Sequence, residues 1–157
     1  MMRRTQRNRG FSLLELVVVV VIIGIIAAVA IPRLSRGAAG AAETALSGDL
    51  AVLRNAVDLY AAEHNGTFPA LATVEGQLTT YTNDQGTVNA TKTTTYIYGP
   101  YLVKVPPLPV GVRKNASKIS DADANDVGWI YNETTGHIRA NCTDTEKDAR
   151  GELFKDY

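Results

Sequence analysis

The chain has 157 residues, with 16 Lys and Arg against 16 Asp and Glu, a formal balance of zero that excludes a general nucleic-acid binder acting through a basic field. Cys142 is the single cysteine, which excludes an intrachain disulfide and a cysteine-rich zinc site. The charge is uneven along the chain: Arg3, Arg4, Arg7 and Arg9 fall within residues 1–10, which contain no acid.

The run from Phe11 to Ile31 follows these arginines, interrupted in polarity only by Ser12, Glu15 and Gly24. A helix over its 21 residues would be roughly 31 Å long at ~1.5 Å per residue, about one hydrocarbon core. The arginines ahead of it keep residues 1–10 on the cytoplasmic side and send the rest outward. Three readings of the segment are open. It is a permanent single-pass anchor, or a secretory signal cut at Ala28-Val29-Ala30, although its apolar run exceeds the ~7–15 residues of such signals. In the third reading Glu15 matters, because a carboxylate in an apolar helix is costly and calls for a partner.

Arg9-Gly10 followed by Phe11-Ser12-Leu13-Leu14-Glu15, with Pro32 closing the run, resembles the leader of type IV prepilins and type II secretion pseudopilins. The resemblance implies that a prepilin peptidase cuts between Gly10 and Phe11 and that Phe11 is then N-methylated. Glu15 becomes the fifth residue of the mature chain, where its carboxylate neutralises the N-terminal ammonium of a neighbouring subunit. Two opposite charges that are each costly in a low-dielectric bundle cost much less as a pair. Pro32, also placed as in the family, is expected to kink or locally unwind the helix.

Past Pro32 the pattern becomes amphipathic. Leu46, Leu50, Leu53, Val57 and Tyr60 follow steps of four and three and form one core-facing stripe. Ala38, Ala39, Ala41, Ala42 and Ala45 favour helix and let neighbours approach closely. Asn65-Gly66 supplies a left-handed stop, with Pro69 shortly beyond. Leu53 to Tyr60 followed by Asn65-Gly66-Thr67-Phe68-Pro69 is similar to the helix end and exit loop of major pseudopilins.

Beyond the helix, a short helix is expected around Val74–Tyr81, turns at Asp84-Gln85-Gly86 and Asn89-Ala90-Thr91, and a strand over Thr94–Tyr98. Gly99-Pro100-Tyr101-Leu102 and Pro106-Pro107-Leu108-Pro109 should lie on the surface or at an edge. Val127–Asn132 and Gly136–Ala140, flanking Glu133-Thr134-Thr135, predict a hairpin whose Trp129, Tyr131 and Ile138 meet the helix. The charged stretch from Thr143 to Tyr157 is expected to be loosely held.

Asp121, Asp123, Asn125 and Asp126 place oxygen donors in an arrangement that suits calcium. The stretch departs from an EF-hand loop, with Asp126 in place of glycine and Asn132 in place of the closing glutamate. Resemblance to major pseudopilins, which bind calcium in a C-terminal loop, favours the ion. The alternative is a solvated turn capped by its own side chains. His64 and His137 are too far apart in sequence to suggest a metal site, and His64 near a helix end reads as a dipole contact. Cys142 reads as a packing residue or an exposed thiol. Five Asn-x-Ser/Thr sequons, at Asn65, Asn89, Asn115, Asn132 and Asn141, mark surface loops, with no glycan expected. No layout suited to catalysis is found, so an enzyme is not expected.

The expected fold is α+β and pilin-like, a long N-terminal helix packed on a small antiparallel sheet. Its parts are a cytoplasmic leader (1–10), a transmembrane and filament-core helix (11–33), the amphipathic half of that helix (34–65) and a periplasmic globular domain (66–157). The expected function, carried by the resemblance, is a subunit of a type II secretion pseudopilus, anchored in the bacterial inner membrane before it is assembled into a periplasmic filament. Its expected partners are copies of itself, minor pseudopilins, the prepilin peptidase and an inner-membrane assembly platform with its ATPase, with no nucleic acid. A type IV pilus subunit, an exported binding module and a membrane-tethered calcium binder are the alternatives.

Overall fold

The computed structural model describes residues 11–157, and the leader arginines and Gly10 lie outside the described residues. The chain forms two compact units, residues 1–39 and 40–157. Helix α1, Leu13–Glu63, contributes to both.

In the first unit α1 carries the apolar run. Leu13–Ile31 is long and apolar enough to cross a membrane, and none of it is buried within the chain. The backbone is helical through Pro32, so of the expected kink or local unwinding the helix is not unwound there. Proline removes one amide donor from the ladder, and the bonds of the neighbouring turns hold the helix together on either side.

In the second unit the stripe Leu46, Leu50, Leu53, Val57 and Tyr60 is at most 2% exposed. The helix ends where the sequence predicts. Asn65 and Gly66 have φ of 56° and 81°, and the Gly66 amide donates to Ala61 O at 2.8 Å, the six-to-one closure of a Schellman end.

The stripe packs on a three-stranded sheet, so the chain is α+β, with a long N-terminal helix on a small sheet. The sheet contains β3 (Lys118–Ser120), β4 (Val127–Tyr131) and β5 (Ile138–Ala140) in that order. β4 and β5 form the expected antiparallel hairpin, pairing Trp129 with Ala140 and Tyr131 with Ile138. The Asn132 side-chain oxygen accepts from the Thr134 and Thr135 amides and shapes the turn. β3 pairs with β4 in parallel, with a register shift after Lys118. Parallel neighbours normally need a crossover of a dozen or more residues. Here the stretch 121–126 suffices because β3 is only three residues long.

A smaller antiparallel pair, β1 (Tyr81–Thr82) with β2 (Val88–Asn89), follows the short helix α2 (Val74–Thr79). The Asn83 side chain accepts from the Gln85 and Thr87 amides in the intervening turn.

Three expectations are corrected. Thr94–Tyr98 is not a strand. The Thr93 hydroxyl accepts from the Thr95 and Tyr96 amides, so a local turn takes donors that a ladder would need, and only Tyr98 bridges to Thr82. The proline-rich stretch does not simply lie on the surface. Leu102, Leu108 and Val110 enter the core, and the Trp129 indole donates to Pro106 O at 2.8 Å. The tail is docked, with Phe154 buried and Arg54 donating to Tyr157 O. Asp148 organises its turn by accepting from the Arg150 and Glu152 amides and the Tyr157 hydroxyl.

Both outer edges of the three-stranded sheet are met by charged side chains. Glu75 of α2 accepts from the Ile119 amide at 2.9 Å, and Arg54 of α1 donates to Ile138 O at 3.4 Å. Edges occupied in this way are poor templates for another strand.

Candidate assembly surface

The largest unsatisfied surface in the first unit is α1 itself. Fifteen large apolar residues between Phe11 and Ile31 are exposed, from 45% at Val19 to 81% at Leu13. Burying each stabilises by about 1.5–3 kcal/mol, so the set is worth a few tens, more than the ~5–15 kcal/mol that typically holds a whole domain folded. A surface of that magnitude requires lipid or other apolar helices around it. Glu15 lies in the first turn of α1, where the partial positive charge of the helix N-terminus favours an acid. Phe11 is 76% exposed immediately before the helix. Gly10, expected to precede the cut, lies outside the described residues, and the Pro32 backbone belongs to the helix interior.

The second unit carries a seam that the sequence reading registered only as an alanine bias. Ala41, Ala45, Gly48, Val52, Asn55, Leu59 and Ala62 recur in steps of four and three and are all exposed. None is charged. From Gly48 onward each follows a core residue by two positions: 48 after 46, 52 after 50, 55 after 53, 59 after 57 and 62 after 60. At about 100° per residue this places the seam on the face of the helix opposite the core. A Cβ added at Gly48 would meet nothing within 4 Å. Uncharged helix surfaces permit close approach of another helix where the residues are small, here at Ala41, Ala45, Gly48 and Ala62. The signal for this face was the second four-three series, which the stronger leucine series masks.

The candidate calcium ligands do not converge. Asp123 pairs with Arg113 and also accepts from Asn141 Nδ2 at 3.1 Å. Asp126 pairs with Lys118 at 2.9 Å, and the hydrogen bond from this ammonium lowers the Asp126 pKa. Asp121 lies beside the Ser120 hydroxyl, and Asn125 is exposed in the same stretch. Among the described residues no three acidic, histidine or cysteine side chains gather around a common point.

His64 is buried and stacked on Tyr60 with ring centroids 3.8 Å apart, so it does more than sit near a helix dipole. His137 is exposed at the hairpin turn and belongs to no metal-like grouping among the described residues. Cys142 is buried, and burial, reinforced by the Glu146 charge, pushes its thiol pKa up to about 11, which suits packing better than reactivity. Asn141 is also buried, its amide shared among Asp123, Ala124 O and Val127 O, so this sequon is not a surface loop.

Residues 5–31 match the family model for the prokaryotic N-terminal methylation motif. The chain therefore carries a type IV pilin-like prepilin leader, and the match spans both the residues around Gly10-Phe11 and the exposed apolar part of α1. Comparison with curated proteins and with solved structures found no match.

Proposed function

We propose that this protein is a structural subunit of a type II secretion pseudopilus, polymerised through α1 after removal of its leader. The observation that carries the reading is the coincidence of the methylation motif at 5–31 with an apolar helix that the chain leaves wholly uncovered. Prepilin peptidase cuts between Gly10 and Phe11, the new amino terminus is methylated, and the helix waits in the inner membrane. On assembly the Leu13–Ile31 helices exchange lipid for one another. Glu15 faces the amino terminus of a neighbouring subunit, where each charge relieves the desolvation of the other. An assembly platform with its ATPase supplies the work, and minor pseudopilins cap the filament. The uncharged seam from Ala41 to Ala62 supports this reading by giving the outer helix a face for a second copy. The single cysteine supports a secretion filament over a surface pilus, many of whose subunits staple a C-terminal loop with a disulfide.

Mass spectrometry of the protein from its native membrane tests the processing. A mature chain beginning at N-methylated Phe11 is expected. One beginning at Ile31 would replace the filament with an exported module, and one retaining Met1 would indicate a permanent anchor. Glu15→Ala is expected to be processed normally and to yield no filaments, and wild-type filament yield from that variant would overturn the assembly role. Filaments extending outside the cell would move the assignment to a pilus.

A further inference from the structure

The connection between β3 and β4 gathers oxygens on one nitrogen. Asn141 Nδ2 lies 2.9 Å from Val127 O, 3.1 Å from Asp123 Oδ1 and 3.4 Å from Ala124 O. Ala124 O also accepts from the Val127 amide. Acceptors drawn together around one point are the pattern that a hard cation imposes. Asn141 is buried and gives the loop donors, but its amide is neutral and leaves the Asp123 charge unbalanced.

Arg113 supplies the charge. Its Nη2 lies 2.5 Å from Asp123 Oδ1, and its Nε donates to Ala124 O at 3.2 Å. The guanidinium thus holds two of the three oxygens that Asn141 gathers. The Arg113 side chain is 12% exposed, against 61% for Asp123. Its Nη1 is buried with no acceptor among the described residues, although water outside would satisfy that nitrogen. The side chain therefore stays in through its contacts with the loop and not through a complete set of partners of its own. The other acids of the stretch do not compete for it, since Asp126 has Lys118 and Asp121 lies beside the Ser120 hydroxyl.

We propose that Arg113 is the built-in cation of the β3–β4 connection, holding Asp123 and Ala124 O together in the way a bound metal ion would. A calcium ion needs its oxygens at about 2.3–2.6 Å, and on Asp123 Oδ1 and Ala124 O it would meet the guanidinium, charge against charge. The connection is therefore closed by the chain itself at any calcium concentration. Only residues 121–126 separate the two parallel strands, where a dozen or more residues are usual, so a tight fastening has a clear purpose. This fastening is independent of the filament assignment.

The test uses the full chain in detergent, with thermal unfolding followed by Trp129 fluorescence in EDTA and in about 5 mM calcium chloride. The wild-type midpoint is expected to be the same in both, and a rise in calcium would overturn the proposal. Asp123→Asn keeps the side-chain shape and removes the charge that faces the buried guanidinium. It is expected to lower the midpoint by about 4 °C or more, equally in EDTA and in calcium. In an Arg113→Met chain the same substitution is expected to cost little, because an exposed aspartate without its buried partner contributes little. A full cost in that background, or no cost in the wild type, would show that Asp123 does not act through Arg113 and would overturn the proposal. If Arg113→Met does not fold, the calcium dependence of the wild type and of Asp123→Asn still decides.

Discussion

Gly48 separates the demands of the folded subunit from those of the assembled one. In the subunit it sits on an exposed helical face with nothing within 4 Å of an added Cβ. Replacing a helical glycine by alanine removes about 0.8–1 kcal/mol of backbone-entropy cost, and nothing in the chain opposes the gain. Gly48→Ala is therefore expected to raise the unfolding midpoint by roughly 3–6 °C for a unit of this size. Gly48→Leu is expected to stabilise the subunit to a similar degree, since leucine is nearly as good a helix former. In a filament the same leucine would stand in the middle of the seam from Ala41 to Ala62, where overpacking typically costs about 1–3 kcal/mol, repeated at every subunit. The expected result is a more stable monomer with a sharply lower filament yield, read by thermal melts in detergent and by filament counts after shearing or imaging. Normal filaments from Gly48→Leu would remove the seam from the interface. A lower midpoint for either variant would show that the seam is already covered within the subunit.

Gly128 should behave oppositely to Gly48, because a Cβ there would lie 2.2 Å from Ala116 O and 2.8 Å from Ala116 C. Gly128→Ala must displace backbone, so a loss of about 1–3 kcal/mol or more is expected in denaturant titration, and an unchanged midpoint would contradict the crossing of these two segments. The Asp148 pKa is lowered. Burial acts against this but is outweighed by hydrogen bonds from Tyr157 and from the Glu152 and Arg150 amides, and by the Arg150 charge. Its contribution is thus present above the ordinary aspartate range and lost as pH falls through the lowered value. Asp148→Asn should be less stable than wild type at neutral pH, with the difference closing in acid, and a gap that persists there would refute the charge-based account. Cys142, buried with its thiol pKa raised to about 11, should resist alkylation at about pH 8 until the chain is unfolded. Rapid labelling of the native protein would contradict the burial of the thiol.

The sequence by itself determined the features that depend on neighbours along the chain. Helix α1, its core stripe, its Asn65-Gly66 stop and the hairpin around Glu133-Thr134-Thr135 all follow from periodicity and turn chemistry. The prepilin-type leader was legible for the same reason, since a peptidase and a membrane read a linear segment. Only the tertiary structure decided which side chains meet from distant positions. It turned Asp123 and Asp126 towards Arg113 and Lys118, drew Leu108 and Phe154 into the core, and set Glu75 and Arg54 on the sheet edges. It also enclosed His64 among Tyr60, Thr82 and Asn83. A polar or irregular stretch has no period, so its course is set by which apolar gaps and unpaired backbone groups the helix and sheet leave, and these exist only once both have packed.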